Sequence, residues 1–176
     1  MSNIGFRIFP PNRAPKELVE PFRDVPSPNV SDNMSRINGV CAEIRPMHGL
    51  KQLLGSAFTV KTRPGDNLMV HKALDMLQPG DALVIDAGGD TTNAILGEIN
   101  VPVTVGGAIV NPGDVVVGDA DGVVVVPLDD AEYVAGEAKK VVEKEAVTMR
   151  EIEEGTLDRS WVDEALKQRG CQWIGF

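Results

Sequence analysis

The residues best suited to chemistry lie between Asp81 and Glu98, in the stretch DALVIDAGGDTTNAILGE. This spacing predicts a strand that runs into a glycine-rich turn and then toward a helix. Ligands of open α/β sheets bind at the carboxyl ends of strands, and the amides at a helix start attract anions. Gly88, Gly89 and Gly97 would let the backbone approach a ligand closely. A purely structural turn explains the stretch equally well, and the absence of GxGxxG or a Walker loop gives no reason to expect a nucleotide.

Besides Asp81 at its first position, this stretch holds three carboxylates, Asp86, Asp90 and Glu98. They favour either metal binding or general acid–base chemistry, with turn capping by Asp90 and solvated charge as the alternative. Hard oxygen ligands favour Mg²⁺ or Mn²⁺ over zinc.

Other chemistry has little support in the sequence. His48 and His71 have no metal ligand at a suitable spacing, and His71 is expected in packing or at the surface. No nucleophile motif is present, so covalent catalysis is not indicated. Cys41 and Cys171 are isolated thiols, which predicts a reduced, cytoplasmic protein. Turn chemistry accounts for a further set of acidic residues: Asp114, Asp119 and Asp121.

Composition excludes several classes of partner. The chain has 176 residues and a formal net charge of −9, without a Lys/Arg cluster, so a nucleic-acid partner is not expected. The longest apolar run, Val123 to Leu128, is far shorter than a membrane-spanning helix, and the first residues have no apolar signal region. We therefore expect neither membrane insertion nor secretion.

The sequence pattern also predicts the helices and strands that position these candidate residues. Residues 1–30 hold half of the prolines and predict an arm with one helical turn near Lys16 to Glu20. Residues Asn29 to Asp32 offer caps for a short helix through Asn38. Ser56 to Arg63 predicts a strand, Asn67 to Gln78 a helix, and Asp81 to Asp86 a buried strand.

The second half of the chain changes character. Val101 to Pro127 predicts consecutive strands, and a long helix should then run from Asp129 or Asp130 to about Glu154, where Gly155 ends it. A tail with a short helix follows. The pattern predicts a mixed α/β domain with an arm over 1–30, a core over 31–128, and a C-terminal helix and tail over 129–176.

Two long motifs resemble a known family. The segments GSAFTVKTRPGDNLMVHKALDMLQPGDALVIDAGGDTTNAILGE and VPVTVGGAIVNPGDVVVGDADGVVVVP are similar to proteins related to the regulator of ribonuclease E activity A. That family includes metal-dependent 4-hydroxy-4-methyl-2-oxoglutarate aldolases that also decarboxylate oxaloacetate, and some members have been labelled demethylmenaquinone methyltransferases. The resemblance implies a compact swivelling β/β/α fold, assembled as homotrimers or homohexamers with sites between subunits.

The resemblance also implies a site in two halves. Gly97 and Glu98 match the family's Gly-Glu at the start of a helix. The amides there, through Ile99, would hold the pyruvyl carboxylate, while Glu98 would act in catalysis by positioning the water that carries protons. Gly88 and Gly89 would line the same substrate site.

The other half of the family's site is an Arg-Asp pair, whose Arg binds the pyruvyl group and whose Asp ligates the metal. About fifty residues of the family pattern, more than one βαβ unit, have no counterpart between Ile99 and Asn100. The dipeptide Arg23-Asp24 lies in the arm and does not match the motif, so the metal ligand in this chain is unknown. Either a stretch of a longer protein is missing from the sequence, which we favour, or a genuine deletion has removed core strands.

The resemblance favours a lyase of the class II pyruvate aldolase type. It would use a divalent metal, Mg²⁺ or Mn²⁺, and cleave 4-hydroxy-4-methyl-2-oxoglutarate or oxaloacetate to pyruvate. The alternative is a non-catalytic regulator that binds a ribonuclease or another protein. An acidic chain needs local positive charge to bind an anionic substrate, so the absence of the family's Arg argues against the lyase hypothesis.

Overall fold

A mixed β-sheet forms the centre of the fold. The computed structural model describes residues 5–47, 49, 51–88 and 97–174. Within these ranges eight strands form: β1 (Phe6–Ile8), β2 (Leu53–Thr62), β3 (Asp81–Asp86), β4 (Gly97–Ile99), β5 (Val103–Val105), β6 (Ala108–Val110), β7 (Val115–Gly118) and β8 (Val123–Val126). The main sheet has the order β1-β4-β2-β7-β8, with β3 on the opposite edge of β2, while β5 and β6 form a separate hairpin.

Strand β2 organises the sheet because it pairs along both edges. It runs parallel to β3 over Ser56 to Lys61. On its other edge its first residues pair antiparallel with β7, and its last residues pair antiparallel with β4. The chain leaves β4 at Asn100, which has a φ of +60° and donates its amide to the Thr59 carbonyl at 2.8 Å. The predicted strand over Ser56 to Arg63 is confirmed, with an earlier start at Leu53.

The side chains of β2 alternate between two apolar layers. Phe58 and Val60 pack with Met69 and Ala73 of helix α3 (Leu68–Met76). Ala57 faces the opposite side, where the β5–β6 hairpin covers the sheet. The buried residues of that second layer are Ala57, Ala82, Val103, Ala108, Val110, Val116 and Val125. Burial on both faces explains why the centre of β2, from Gly55 to Val60, has only uncharged residues.

The N-terminal arm packs onto this body. It contains helix α1 (Lys16–Val19), a 3-10 turn (Glu20–Phe22) and helix α2 (Ser27–Asp32). Phe22, Val25 and Val30 are buried. The predicted helical turn near Lys16 to Glu20 is therefore confirmed.

Helix α4 (Ala131–Glu154) and helix α5 (Ser160–Gln168) complete the described chain. The long C-terminal helix is confirmed, and Gly155, with a φ of +67°, ends it. The chain divides into two compact units, residues 1–140 and 141–176. No helix of the described ranges is both long and apolar enough to cross a bilayer.

Three expectations about elements are wrong. The helix expected from Asn29–Asp32 caps through Asn38 is instead α2 at Ser27–Asp32, because the Asp119 carboxylate holds the Ser27 amide and Pro26 and Pro28 favour a helix start there. β3 is only partly buried, because it pairs with β2 on one side. Gly97–Glu98 starts no helix: these residues form β4.

Candidate functional site

Glu98 lies at a position where a carboxylate is rarely found, within a fully buried three-residue strand. Its residue is 5% exposed. The carboxylate forms an ion pair with the Arg7 guanidinium of the neighbouring strand β1, whose side chain is 44% exposed. A buried charge needs such a partner, because burying it alone is costly. Arg7 therefore supplies the opposite charge beside the buried Glu98 carboxylate, while part of the Arg7 side chain stays exposed to solvent.

Strand register places two more charges beside this pair. Arg7 is opposite Glu98, Glu98 is opposite Lys61, and Lys61 is opposite Asp86. Residues directly opposite each other in a sheet point to the same face. We call these four residues the charged row; it crosses strands β1, β4, β2 and β3 with alternating sign. Neighbouring opposite charges stabilise such cross-strand pairs.

The charged row lies toward the carboxyl ends of β2 and β3, where α/β sheets bind ligands. Asp86 accepts the Gly88 amide at 2.9 Å, and its second oxygen lies 3.4 Å from the Thr104 amide of β5. On the hairpin side, the Thr59 hydroxyl donates to the Val101 carbonyl at 2.6 Å. The row is thus bounded by the β5–β6 hairpin on one flank and by the turn after β3 on another.

The residues expected to hold a carboxylate occupy different environments. Gly97 is buried, and a Cβ there would lie 2.4 Å from Met69 Cγ, so glycine is required for packing against α3. Ile99 is fully buried in the α3-facing layer. β4 pairs with β1 on one edge and β2 on the other, so its backbone groups take part in two ladders. The argument that these amides form a helix-start anion site does not apply to β4.

Gly88 has a φ of +58°, a conformation that glycine adopts without strain. It lies two residues after the end of β3, and its amide donates to the Asp86 carboxylate. Gly89 and Asp90 lie outside the described residues, as does His48. Of the three glycines expected near a ligand, Gly88 is therefore the one that the structure places beside Asp86, at the end of the charged row.

Comparison with known proteins identifies the family. A family model described as "RraA-like: Aldolase/RraA" matches residues 27–99 and 93–125. A protein of Halalkalibacterium halodurans called "Putative 4-hydroxy-4-methyl-2-oxoglutarate aldolase" is 30% identical over 196 aligned positions, which cover 83% of this chain and 93% of that protein. This chain belongs to the RraA-like family.

Two solved structures share the RraA-like fold of this chain. A crystal structure of an uncharacterized protein from Pseudomonas syringae pv. tomato has a TM-score of 0.69 at 20% identity, covering 85% of this chain and 94% of that one. Streptomyces coelicolor RraAS2, described as an unusual member of the RNase ES inhibitor RraA protein family, has a TM-score of 0.68 at 21% identity, covering 80% and 99%. At these identities the likeness establishes the α/β fold.

The family match is divided near the end of β4. The two matched segments meet at residues 93–99. The alignment with the Halalkalibacterium protein has 196 positions, whereas 83% of the 176 residues here is about 146, so the relative has additional positions without a counterpart in this RraA-like chain. Here Ile99 is followed directly by Asn100 and then β5.

The described residues do not fit the divalent metal that the family resemblance implies. Among them, no group of three or more His, Cys, Asp or Glu side chains could hold a metal ion. In the charged row, Lys61 separates Glu98 from Asp86, and Glu98 is paired with Arg7. Lys61 already supplies a positive charge between these two carboxylates, at the place where a metal ion would have to bind.

Sequence reasoning missed Arg7 and Lys61. Arg7 lies in a segment with no motif, and only the pairing of β1 with β4 brings it to Glu98. Lys61 had a usable signal, since it is the first charge after the apolar centre of a strand. His71 lies exposed on α3, in agreement with a surface role, and Cys41 and Cys171 are both exposed and unpaired. Turn chemistry is confirmed for Asp114 and Asp119, which accept nearby amides.

Proposed function

We propose that this RraA-like chain is a carbon–carbon lyase of small 2-oxo acids that releases pyruvate, with 4-hydroxy-4-methyl-2-oxoglutarate or oxaloacetate as substrate. The observation that carries the proposal is the buried Glu98 carboxylate, flanked in the charged row by Arg7 and Lys61. Family membership and the 30% identical relative support it.

The reaction needs a proton carrier and positive charge near an anionic substrate. Cleavage of 4-hydroxy-4-methyl-2-oxoglutarate removes the proton of the 4-hydroxyl group, breaks the C3–C4 bond, and leaves the electron pair on the enolate of pyruvate. Protonation at C3 then completes the second pyruvate. In oxaloacetate the C3–C4 bond breaks without removal of a hydroxyl proton, CO₂ leaves, and the same enolate of pyruvate is protonated at C3. Glu98 would position the water that carries the proton, and the cations of the charged row would offset the negative charge of the enolate.

A pyruvate-release assay tests the proposal. The full chain would be supplied with each substrate, with Mg²⁺ and with a chelator, because a magnesium requirement stays a prediction of the family resemblance. Glu98→Gln should lower kcat by about a hundredfold or more, as expected for loss of a general acid–base group. Glu153→Gln, an exposed carboxylate of α4, is the matched control and should keep wild-type activity.

Absence of pyruvate above the uncatalysed rate under every condition would refute the lyase proposal. Thermal unfolding of Glu98→Gln separates a catalytic effect from a folding defect, because this substitution also removes the partner of Arg7.

One observation favours the alternative function, a regulator that binds a ribonuclease. The sequence lacks an Arg-Asp pair after Ile99, so the substrate-binding Arg and the metal ligand expected from the family resemblance have no counterpart. Co-precipitation with an RNA-degrading enzyme tests this function, and it should succeed equally with Glu98→Gln. Light scattering of the purified chain would test the proposed homotrimer or homohexamer in the same preparation.

A further inference from the structure

We propose that Lys61 is the anion-binding residue of the candidate site and holds the carboxylate of a small 2-oxo acid. This inference rests on the proposed function and assigns a substrate contact to a residue outside the expected Gly-Glu and Arg-Asp motifs. Lys61 is half-buried near the carboxyl end of β2. It lies between Glu98 and Asp86 in the charged row.

The other members of the charged row are already engaged. Arg7 is paired with Glu98. Asp86 accepts the Gly88 and Thr104 amides. Across the ranges that the structure describes, no carboxylate oxygen lies within 4.0 Å of the Lys61 ammonium. An ammonium has three donors and is strongly hydrated, so Lys61 has donors to offer to an incoming anion.

Its surroundings also restrict the anion. Glu98 and Asp86 lie on adjacent strands to either side of Lys61, so a ligand with two or more charges concentrated on one group would meet two carboxylates at short range. A single carboxylate carries one charge spread over two oxygens and suits one ammonium. This charge pattern favours a 2-oxo acid such as pyruvate and disfavours inorganic phosphate.

Ligand titrations of the labelled full chain by ¹H–¹⁵N NMR test the assignment, with pyruvate and inorganic phosphate as probes. Pyruvate should shift amides at the ends of β2 and β3, and phosphate should not. Lys61→Gln should weaken pyruvate binding about tenfold or more, the loss expected for one hydrogen bond to a charged group. Lys61→Arg should recover most of the affinity. Lys72→Gln, which changes an exposed lysine of α3, should bind as the wild type does.

The outcomes separate this inference from the proposed function. Pyruvate binding that depends on Lys61 in a chain without lyase activity supports the inference and refutes the lyase. Lyase activity with an unchanged KM in Lys61→Gln supports the lyase and overturns the inference. Wild-type protein that fails to bind pyruvate, or that binds phosphate equally well at Lys61, also overturns it. Lys61→Arg distinguishes a lost ligand contact from a folding defect, because restoring the positive charge would not restore binding if Lys61→Gln had simply unfolded the protein.

Discussion

A single acidic residue, Asp119, joins the loop after β7 to the N-terminal arm. Asp119 lies in the loop between β7 and β8, yet its carboxylate accepts the Ser27 amide and the Ser27 hydroxyl, both at 2.7 Å. It also accepts the Asp121 amide at 2.9 Å within its own loop. Asp119 therefore supplies the N-terminal hydrogen bonds of α2 from a distant part of the sequence, as an N-cap side chain does locally.

This arrangement predicts an acid-sensitive contribution to stability. Burial acts to raise the pKa of Asp119, but the hydrogen bonds from Ser27, Asp121 and Gly122 outweigh it and leave the pKa lowered. A carboxyl with a lowered folded pKa stabilises the protein above its unfolded pKa of about 3.9, and this stabilisation is lost as the pH falls through the folded value. Asp119→Ala should cost about 1–2 kcal/mol near neutral pH, and the difference from wild type should shrink below about pH 4.

Urea unfolding followed by circular dichroism from neutral to acidic pH would measure this effect. Asp121→Ala, an exposed acidic residue of the same loop, is the control and should have little effect at any pH. A cost for Asp119→Ala that stays constant over this pH range would contradict the explanation.

At the scale of elements, Arg13 makes several of the contacts that hold the N-terminal arm on the sheet. Arg13 forms bidentate hydrogen bonds to Asp81, with Nε–Oδ1 and Nη2–Oδ2 distances of 2.9 Å, and also donates to the Met76 carbonyl at 3.1 Å. Its guanidinium carbon lies 5.5 Å from the centre of the Phe58 ring. The Asp81 side chain is 3% exposed, and its hydrogen bond with Arg13 is the main cause that raises the pKa of Arg13. These contacts join the arm to β3, α3 and β2 at one point.

Removing this cation should loosen the arm. Arg13→Ala leaves the buried Asp81 carboxylate without its partner, which should lower the free energy of unfolding by about 3 kcal/mol. Arg23→Ala is the matched control, because Arg23 pairs with Glu20 at the solvent-exposed surface and its loss should change stability much less. Denaturant unfolding measures both values, and hydrogen exchange of the α1 and α2 amides would locate the change. Equal losses in the two variants would show that Arg13 has no special role.

At the scale of the whole molecule, the buried residues that the structure describes all lie within residues 1–140. The described residues of α4 that are buried are Ala131, Val134, Ala135 and Ala138, all within residues 1–140. From Val141 onward the described chain has intermediate or exposed residues. A domain with its own buried core can fold independently.

A chain that ends at Lys140 should therefore fold cooperatively, with a Tm within a few degrees of the full chain. Calorimetry would measure this, and a second chain ending at Asp130, which lacks the buried part of α4, should unfold at a much lower temperature. Loss of the cooperative transition in the Lys140 chain would show that the core depends on residues 141–176. The lyase assay on the Lys140 chain would also show whether the C-terminal unit contributes to activity.

Local patterns in the sequence were sufficient for several elements. Alternation and β-branched residues predicted β2 and the four strands β5 to β8, and the apolar stripe with Gly155 predicted α4, because these elements depend on periodicity and on punctuation within a few residues. The motifs were also sufficient for the family, and Glu98 was selected as the residue to examine. The role of Glu98 in catalysis stays a prediction.

Only the tertiary structure decided what surrounds Glu98. Residues 97–99 read as a helix start by family analogy, yet they form a strand, because β1 and β2 supply hydrogen-bonding partners on both edges. Strand register places Arg7 and Lys61 opposite Glu98, and this register depends on pairings between residues far apart in the chain. The net charge of −9 follows from the sequence alone. The placement of Arg7 and Lys61 opposite the buried Glu98 depends on the fold.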